Sequence, residues 1–502
     1  MISNFKHLKK QELLYLFIIL VIPSIFIFTT LKIYAINLWY DPSRDLLMAW
    51  DNITKPTLIG PQSGVPGIYY GAYWIWLLSF GLLFSKNPII VTFITATLPY
   101  LIIFPFIWFR LSKYLDRTSL ILGWLLFILG NGTIYATQLW NPYPAPLLTL
   151  AMIVLLVTTD LSKVTRKSKI AMFFVGVLLA LVINFHISFG ITLIPSIFLF
   201  LLIDTILERK FNKALYKLKN RLLLIGFTIL GFLTGYLPAI IFELRHNFMQ
   251  TKALLYTLLK FGNVVALKGL SRTDIFQEYF RTLANVIHIS NVIGGIIFII
   301  LLIILLYNIT QKKIKNYNNI RIGLLAITIL IGSAIIYFTA KNPVWEYHFI
   351  GVDIAFLLFI TYAASNIPIF KKILLAWTII IVAISFFQLG KNINGQTPYF
   401  YQQTFAVKTI TRDADGSDYS VYSFSRSIYM FDYAYLFRWL AGKDIPYDPG
   451  FIKRGKIVYL IVPSKRDAYI TDFIHSKTRG ANYYVAKTWH TADITIIKNV
   501  KR

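Results

Sequence analysis

The 502-residue chain has no cysteine, which removes disulfides, thiolate metal sites and cysteine nucleophiles together. It is also poor in charge: 14% of residues are Asp, Glu, Lys or Arg, against about 25% in an average soluble domain. Acids are the scarcer sign, with 22 Asp and Glu against 50 Lys and Arg, for a net charge of +28. The seven His show no HExxH spacing, no GxxxxGK[ST] loop is present, and there is no internal repeat or long low-complexity run. A cytoplasmic nucleotide-sugar enzyme is therefore disfavoured. What is abundant is apolar sequence, 57% hydrophobic with a mean hydropathy of +0.62. Such a chain is solvated by lipid over most of its length, so its basic excess belongs to membrane loops and no nucleic-acid partner is expected. Any catalysis falls to carboxylate, imidazole, amine or hydroxyl groups.

A membrane span needs about 20 mostly apolar residues. Such stretches lie near 12–31, 88–109, 119–136, 146–159, 170–186, 189–206, 222–241, 291–308, 322–340, 348–365 and 372–389, which predicts a polytopic α-helical membrane protein with about 11 transmembrane helices. The first span follows MISNFKHLKKQ, runs too long for a signal peptide and lacks a small-residue cleavage site, so it reads as an anchor. Lys and Arg collect in alternate loops, at 110–117, 162–169, 208–221, 311–321 and Lys371–Lys372. The positive-inside rule puts those loops and the amino terminus in the cytoplasm, and the loops near 32–87, 137–145, 242–290 and 341–347 outside. The apolar, Tyr- and Trp-rich segment 67–84 reads as an interfacial or re-entrant helix, because counting it as a span would invert every later loop. These readings give a membrane domain over 1–390. Beyond it, alternating runs at 418–424, 456–463 and 483–489 with an amphipathic helix at 427–442 predict a small extracytoplasmic α/β domain over 391–502.

The first outer loop, NLWYDPSRDLLMAWDNITKPTLIGPQSGVPGIYYGAYWIW (37–76), carries the densest chemistry. Asp41 and Asp45 are four apart and would share one face of a helix, with Pro42 at a favoured first-turn position. Asp41 can serve as that helix's N-cap. Held among Trp39, Tyr40 and Trp50 it would be poorly solvated, and it can equally act as a base. Asp51 reads as a solvated loop charge, and GPQSGVPG (60–67) as a turn folding the loop back to the membrane. Cations on outer loops, where the positive-inside rule gives no reason for them, are Arg44, Lys55, Arg245, His246, Lys341 and His348. Arg245 can alternatively pair with Glu243, and Lys341 and His348 can belong to an aromatic belt around WEY (345–347) that includes Glu346. His186 reads as a hydrogen-bonded core residue. Asp353, inside a span, is either a functional group or a paired packing residue.

On these motifs, together with QLWNPYPAP (138–146), LPAIIFELRHNFMQTKALL (237–255) and WEYHFIGVD (345–353), the membrane region resembles the glycosyltransferase family 39-like members of the GT-C superfamily. That group includes the protein O-mannosyltransferases and lipid A aminoarabinose transferases. The resemblance implies a GT-C fold and an inverting glycosyltransferase, hexosyl or pentosyl, of the cell membrane. Its donor would be a polyprenyl-phosphate-linked sugar reached through the lipid, and its acceptor a protein, lipid or glycan on the outer face. It implies that Asp41 is the catalytic carboxylate. Many members carry Asp-Glu at that point where this chain has Asp41-Pro42, so a second acid's role passes to Asp45 or is missing. Many also carry an acid where this chain has Asn141. That departure predicts no cofactor and no obligatory metal, a divalent ion remaining possible. The substrate-binding candidates are Arg44, Lys55, Asn141, Arg245, His246, Lys341, Glu346 and His348. Two other classes stay open: a flippase of lipid-linked sugars, and an envelope polysaccharide polymerase or ligase.

Overall fold

A computed structural model describes residues 10–502 apart from 65, 213–217, 260–268, 311–316, 341–343, 394, 396, 425–428, 447–454, 466–467 and 479–481. The chain opens with α1 (Lys10–Tyr34), then α2 (Tyr40–Asn52), a hairpin of β1 (Ile59–Gln62) and β2 (Tyr69–Gly71), and α3 (Tyr73–Phe84). A long helix follows over 88–113, from α4 (Pro88–Thr92) to α5 (Phe104–Trp108) and a closing 3₁₀ turn. Wide turns at Phe93–Thr97 and Pro99–Ile103 interrupt it, where Pro99 and Pro105 cannot donate to the helical ladder. The bundle continues through α6 (Arg117–Leu129), α7 (Asn131–Thr137), α8 (Pro144–Thr158), α9 (Arg166–Phe185), α10 (Ile187–Asn212), α11 (Leu218–Gly235), α12 (Leu237–Arg245) and α13 (Met249–Leu259). It closes with α14 (Arg272–Ile287), α15 (Asn291–Thr310), α16 (Tyr317–Thr339), α17 (Val352–Asn366) and α18 (Pro368–Asn392).

Among the described residues, six helices are long and apolar enough to cross a membrane, and up to nine spans result if each of three bent pairs counts as one. The predicted spans at 119–136 and 222–241 are two of these bent pairs, broken by 57° after Gly130 and by 59° before Leu237. The third pair, α14 and α15, bends by 80°, so α15 alone occupies the predicted span at 291–308. The spans predicted near 146–159 and 348–365 are α8 and α17, each of 15 residues. The segment at 67–84, read as one helix, is instead the second hairpin strand followed by α3, whose 12 residues reach only about 18 Å at 1.5 Å per residue. Gly71 explains the strand: the Asn184 side chain occupies the space a Cβ there would need. The Gly/Pro-rich segment does fold back, with Ser63 N–H donating to the Ile68 carbonyl at 2.8 Å.

The basic loops meet at one end of the bundle. Lys371 lies 3.4 Å from Asp116, Asn319 donates to the Tyr114 carbonyl at 3.0 Å, and Asn220 donates to the Ser162 carbonyl at 2.9 Å. Arg221 and Arg321, read from sequence as loop charges, are buried there at 7% and 3% exposure. Both clasp Asp204 at 3.1 Å, Tyr317 adds a hydrogen bond to it at 2.6 Å, and Arg321 also donates to the carbonyls of Leu156, Val157 and Thr159 at the end of α8. Every charge taken out of water there has a partner, as burial demands.

At the opposite end sits the carboxy-terminal unit: α19 (Tyr399–Ala414), β3 (Tyr419–Ser423), α20 (Phe431–Ala441), β4 (Ile457–Pro463), α21 (Ala468–Thr478), β5 (Tyr483–His490) and β6 (Ile494–Lys501). Its sheet has the order β3-β4-β6-β5, parallel only between β3 and β4, which α20 connects. The last strand was not anticipated. This unit lies on α2: Tyr435 of α20 packs its ring 6.0 Å from Trp50 and donates to the Lys86 carbonyl at 2.8 Å, while Arg438 holds Asp51 at 2.7 Å. Asp51 is thus an ion-pair partner and not a free loop charge, although it stays 63% exposed. An exposed pair of this kind contributes about 0–1 kcal/mol, whereas removing a buried aromatic costs about 3–5 kcal/mol. Thermal melts of purified protein should therefore show Arg438→Ala close to wild type and Tyr435→Ala strongly destabilised.

Candidate active site

The helix α2 starts one residue earlier than capping by Asp41 would require. Trp39 takes the N-cap position without a side-chain cap, so Asp41 falls in the first turn and its carboxylate is free for other partners. Three residues on, Arg44 comes between the two acids. Its Nη1 lies 2.9 Å from Asp41 Oδ1, and its Nη2 and Nε lie 2.7 and 2.8 Å from Asp45 Oδ1. The Trp74 indole, carried on α3 beneath, donates to Asp45 Oδ2 at 2.8 Å.

The two acids are not equivalent. Asp45 has no exposed side-chain surface, while Asp41 keeps 23%. Burial pushes the Asp45 carboxyl up to about 6, opposed by Arg44 and reinforced by the nearby Asp41 charge. Burial also raises Asp41, opposed by Arg44 and by the nearby Trp140 indole. Arg44, bonded to both carboxylates, is already engaged before any ligand arrives.

Aromatic side chains from four other segments surround Asp41. Trp140, on the loop between α7 and α8, sits 5.6 Å from the Trp39 ring and 5.4 Å from Tyr347. Tyr70 of β2 neighbours Asn141 and feels the charges of Asp41, Arg44 and Asp45. Asn141 itself is 3% exposed and donates to the Phe185 carbonyl at 3.0 Å, so it braces Tyr70 from behind. From the carboxy-terminal unit, Phe431 and Tyr429 place their rings 5.1 and 6.4 Å from Tyr40, closing the site from above.

The predicted residues divide accordingly. Asp41, Arg44, Asp45 and, through Tyr70, Asn141 come together. His348 lies behind Tyr347, ring to ring at 4.5 Å, and burial lowers its imidazole to about 4. It is neutral at pH 7 and cannot serve as the phosphate-binding cation expected of it. His186 is fully buried among Phe189, Tyr347 and His348, as a core histidine. Lys55 is exposed beyond the far end of α2, and Glu346, 64% exposed, pairs with Arg281 at 3.5 Å. Arg245 and His246 are exposed at the end of α12, with His246 stacked on Phe242 at 4.0 Å. Glu243 does not pair with Arg245; it accepts from Gln250 and Thr251 at the start of α13. That loop nevertheless reaches the site's hairpin, because Gln250 accepts the Tyr69 N–H at 2.8 Å. Lys341 lies outside the described residues. Asp353 proves to be a packing residue: Asn131, Tyr135 and the N–H groups of Gly351 and Ile354 all donate to it.

Sequence reasoning missed Tyr70, Trp74, Trp140 and Tyr347. Trp140 was nearest to being found, since it stands beside Asn141 in QLWNPY. Among the described residues no group of three or more His, Asp or Glu gathers in a metal-binding arrangement.

No protein family matches the chain, and no curated protein matches it in sequence. Solved structures do match. Two structures of ArnT from Cupriavidus metallidurans superpose over 97% of this chain and 97% of theirs at 10% identity, the apo state with a TM-score of 0.61 and the form bound to undecaprenyl phosphate with 0.59. The chain has the GT-C fold of a multi-pass membrane protein, carrying a small sheet-containing unit at its carboxyl end.

Proposed function

We propose that the chain is an inverting glycosyltransferase that moves a sugar from a polyprenyl-phosphate carrier to an acceptor at the outer face of the cell membrane. The observation that carries this reading is the asymmetry of the carboxylate pair. Asp45 is buried and fully engaged, whereas Asp41 holds Arg44 by one oxygen and remains partly open, at the end of the bundle away from the basic loops. The undecaprenyl phosphate bound to ArnT, which shares the fold, supports a lipid-phosphate donor.

In the proposed reaction Asp41 takes the proton from an acceptor hydroxyl as that oxygen attacks the anomeric carbon. The bond from that carbon to the phosphate oxygen breaks with its electron pair, releasing polyprenyl phosphate, and the proton leaves Asp41 for water. Asp45 and Arg44 act as positioning residues: Arg44 fixes Asp41, and Asp45 shares that guanidinium so that Asp41 does not hold it alone. With Arg44 held by both acids and His348 uncharged, the donor phosphate falls to the α12–α13 segment, where Arg245 and His246 are exposed. The orientation follows from the basic end of the bundle facing the cytoplasm.

Purified protein incubated with a panel of radiolabelled polyprenyl-phosphate sugars should release sugar from the lipid and leave free carrier phosphate, with the rate unchanged by EDTA. Unchanged lipid-linked sugar relocated across vesicles would instead establish a flippase.

A further inference from the structure

A second feature borders Asp41. A groove of about 620 Å³ opens between the outer end of α1, α7 with the loop after it, and the start of α19. Trp39, the N-cap of α2, and Trp140, whose indole neighbours Asp41, form the wall nearest the triad. Tyr34, Tyr143 and Tyr399 supply three more rings, and the amides of Asn37 and Gln138 supply polar groups. Not one Lys, Arg, His, Asp or Glu lines it, in a chain that carries 50 Lys and Arg. Trp39 and Tyr399 are 38% and 46% exposed, so ring faces are open to a ligand.

We infer that this groove holds the acceptor as a neutral glycan; this rests on the transferase reading above. A pyranose presents apolar C–H faces for aromatic rings and a rim of hydroxyls for amides, which is the combination the groove offers. A phosphorylated or amino sugar would give up hydration there without meeting a counter-charge. A polyprenyl chain would bury the Asn37 and Gln138 amides against hydrocarbon, a cost a purely apolar lining would avoid. The volume exceeds one sugar ring, so the preferred acceptor is an oligosaccharide end. Because Trp140 serves both the groove wall and Asp41, the reacting hydroxyl is delivered beside the base, and the donor approaches from the Tyr70 and 237–259 side.

The test uses the full-length protein in detergent and saturation-transfer NMR with four probes: mannobiose, mannose 6-phosphate, glucosamine and farnesyl phosphate. Mannobiose should bind wild type, bind at least about tenfold more weakly to Trp39→Ala, and outcompete both charged sugars. Gln138→Glu keeps the acceptor oxygen that receives the Asn37 N–H and adds a charge without a void; it should shift preference toward glucosamine. Charged sugars binding wild type as well as mannobiose, no saccharide binding by folded protein, or farnesyl phosphate displacing mannobiose would each overturn the inference. Donor consumption is scored separately. Asp41-dependent loss of sugar from the lipid without neutral-glycan binding sinks the groove assignment alone, and glycan binding without donor consumption sinks the transferase alone.

Discussion

Asp41→Asn should reduce transfer by about 10²–10⁴-fold in kcat, the usual contribution of a positioned general base, with little change in donor KM. The substitution is nearly isosteric, and the lost Arg44 contact leaves that guanidinium still bound to Asp45, so expression and melting temperature should hold. Kinetics on wild type should also show an acid limb. The base works only when ionised, and burial raises its carboxyl above the ordinary value. Activity is therefore present at neutral pH and lost, on acidification, earlier than a solvated aspartate would dictate. Turnover retained by folded Asp41→Asn would move the chemistry to another group and favour the polymerase or ligase class.

The second large effect is expected at Asp45, for a different reason. Asp45→Asn leaves Arg44 with a single carboxylate partner and breaks the better buried half of the triad, at a cost of about 3 kcal/mol, the low end for disrupting a buried pair. In what remains folded, Arg44 turns wholly to Asp41. That favours the ionised form of Asp41, so the acid limb should move to lower pH while maximal kcat falls because the base is weaker. A mere scaffold residue would lower stability without moving the pH profile. A loss as deep as that of Asp41→Asn, with no shift, would mean that Asp45 takes part in the chemistry itself.

Much of this architecture is written in local pattern. Apolar runs of fixed length are the most legible signal in any chain, and the helices fall where those runs lie, even where they are as short as α8 and α17. The two acids of DPSRD are likewise a one-helix relation, and α2 brings them to one arginine. What could not be read is what depends on distant segments. Tyr70 and Asn141 meet only because Gly71 lets the hairpin lie against Asn184. Trp74 and Asp45, 29 residues apart, meet because α3 turns back under α2. His348 looked like a cation because it sits at an outer loop where the positive-inside rule gives no reason for one, and it is uncharged because its neighbours in space are rings. The strand at Ile494–Lys501 is hard to read because its run is interrupted by Asn499 and by Lys498, which the fold pairs with Asp413.

The clasp on Asp204 has a bearing on motion. It fastens α10 to α11 and α16, and its arginine from α16 is also bonded to the end of α8, so four helices are joined at the basic end through fully paired, buried charge. Opening that end would strand at least one ion in a water-poor interior, a penalty of several kcal/mol. A carrier that exposes its cargo alternately to two compartments must open at both ends in turn. Here one end is bolted, so the breathing that admits substrates and releases products is confined to the far end, where α2, the hairpin and the overlying sheet unit meet the membrane surface.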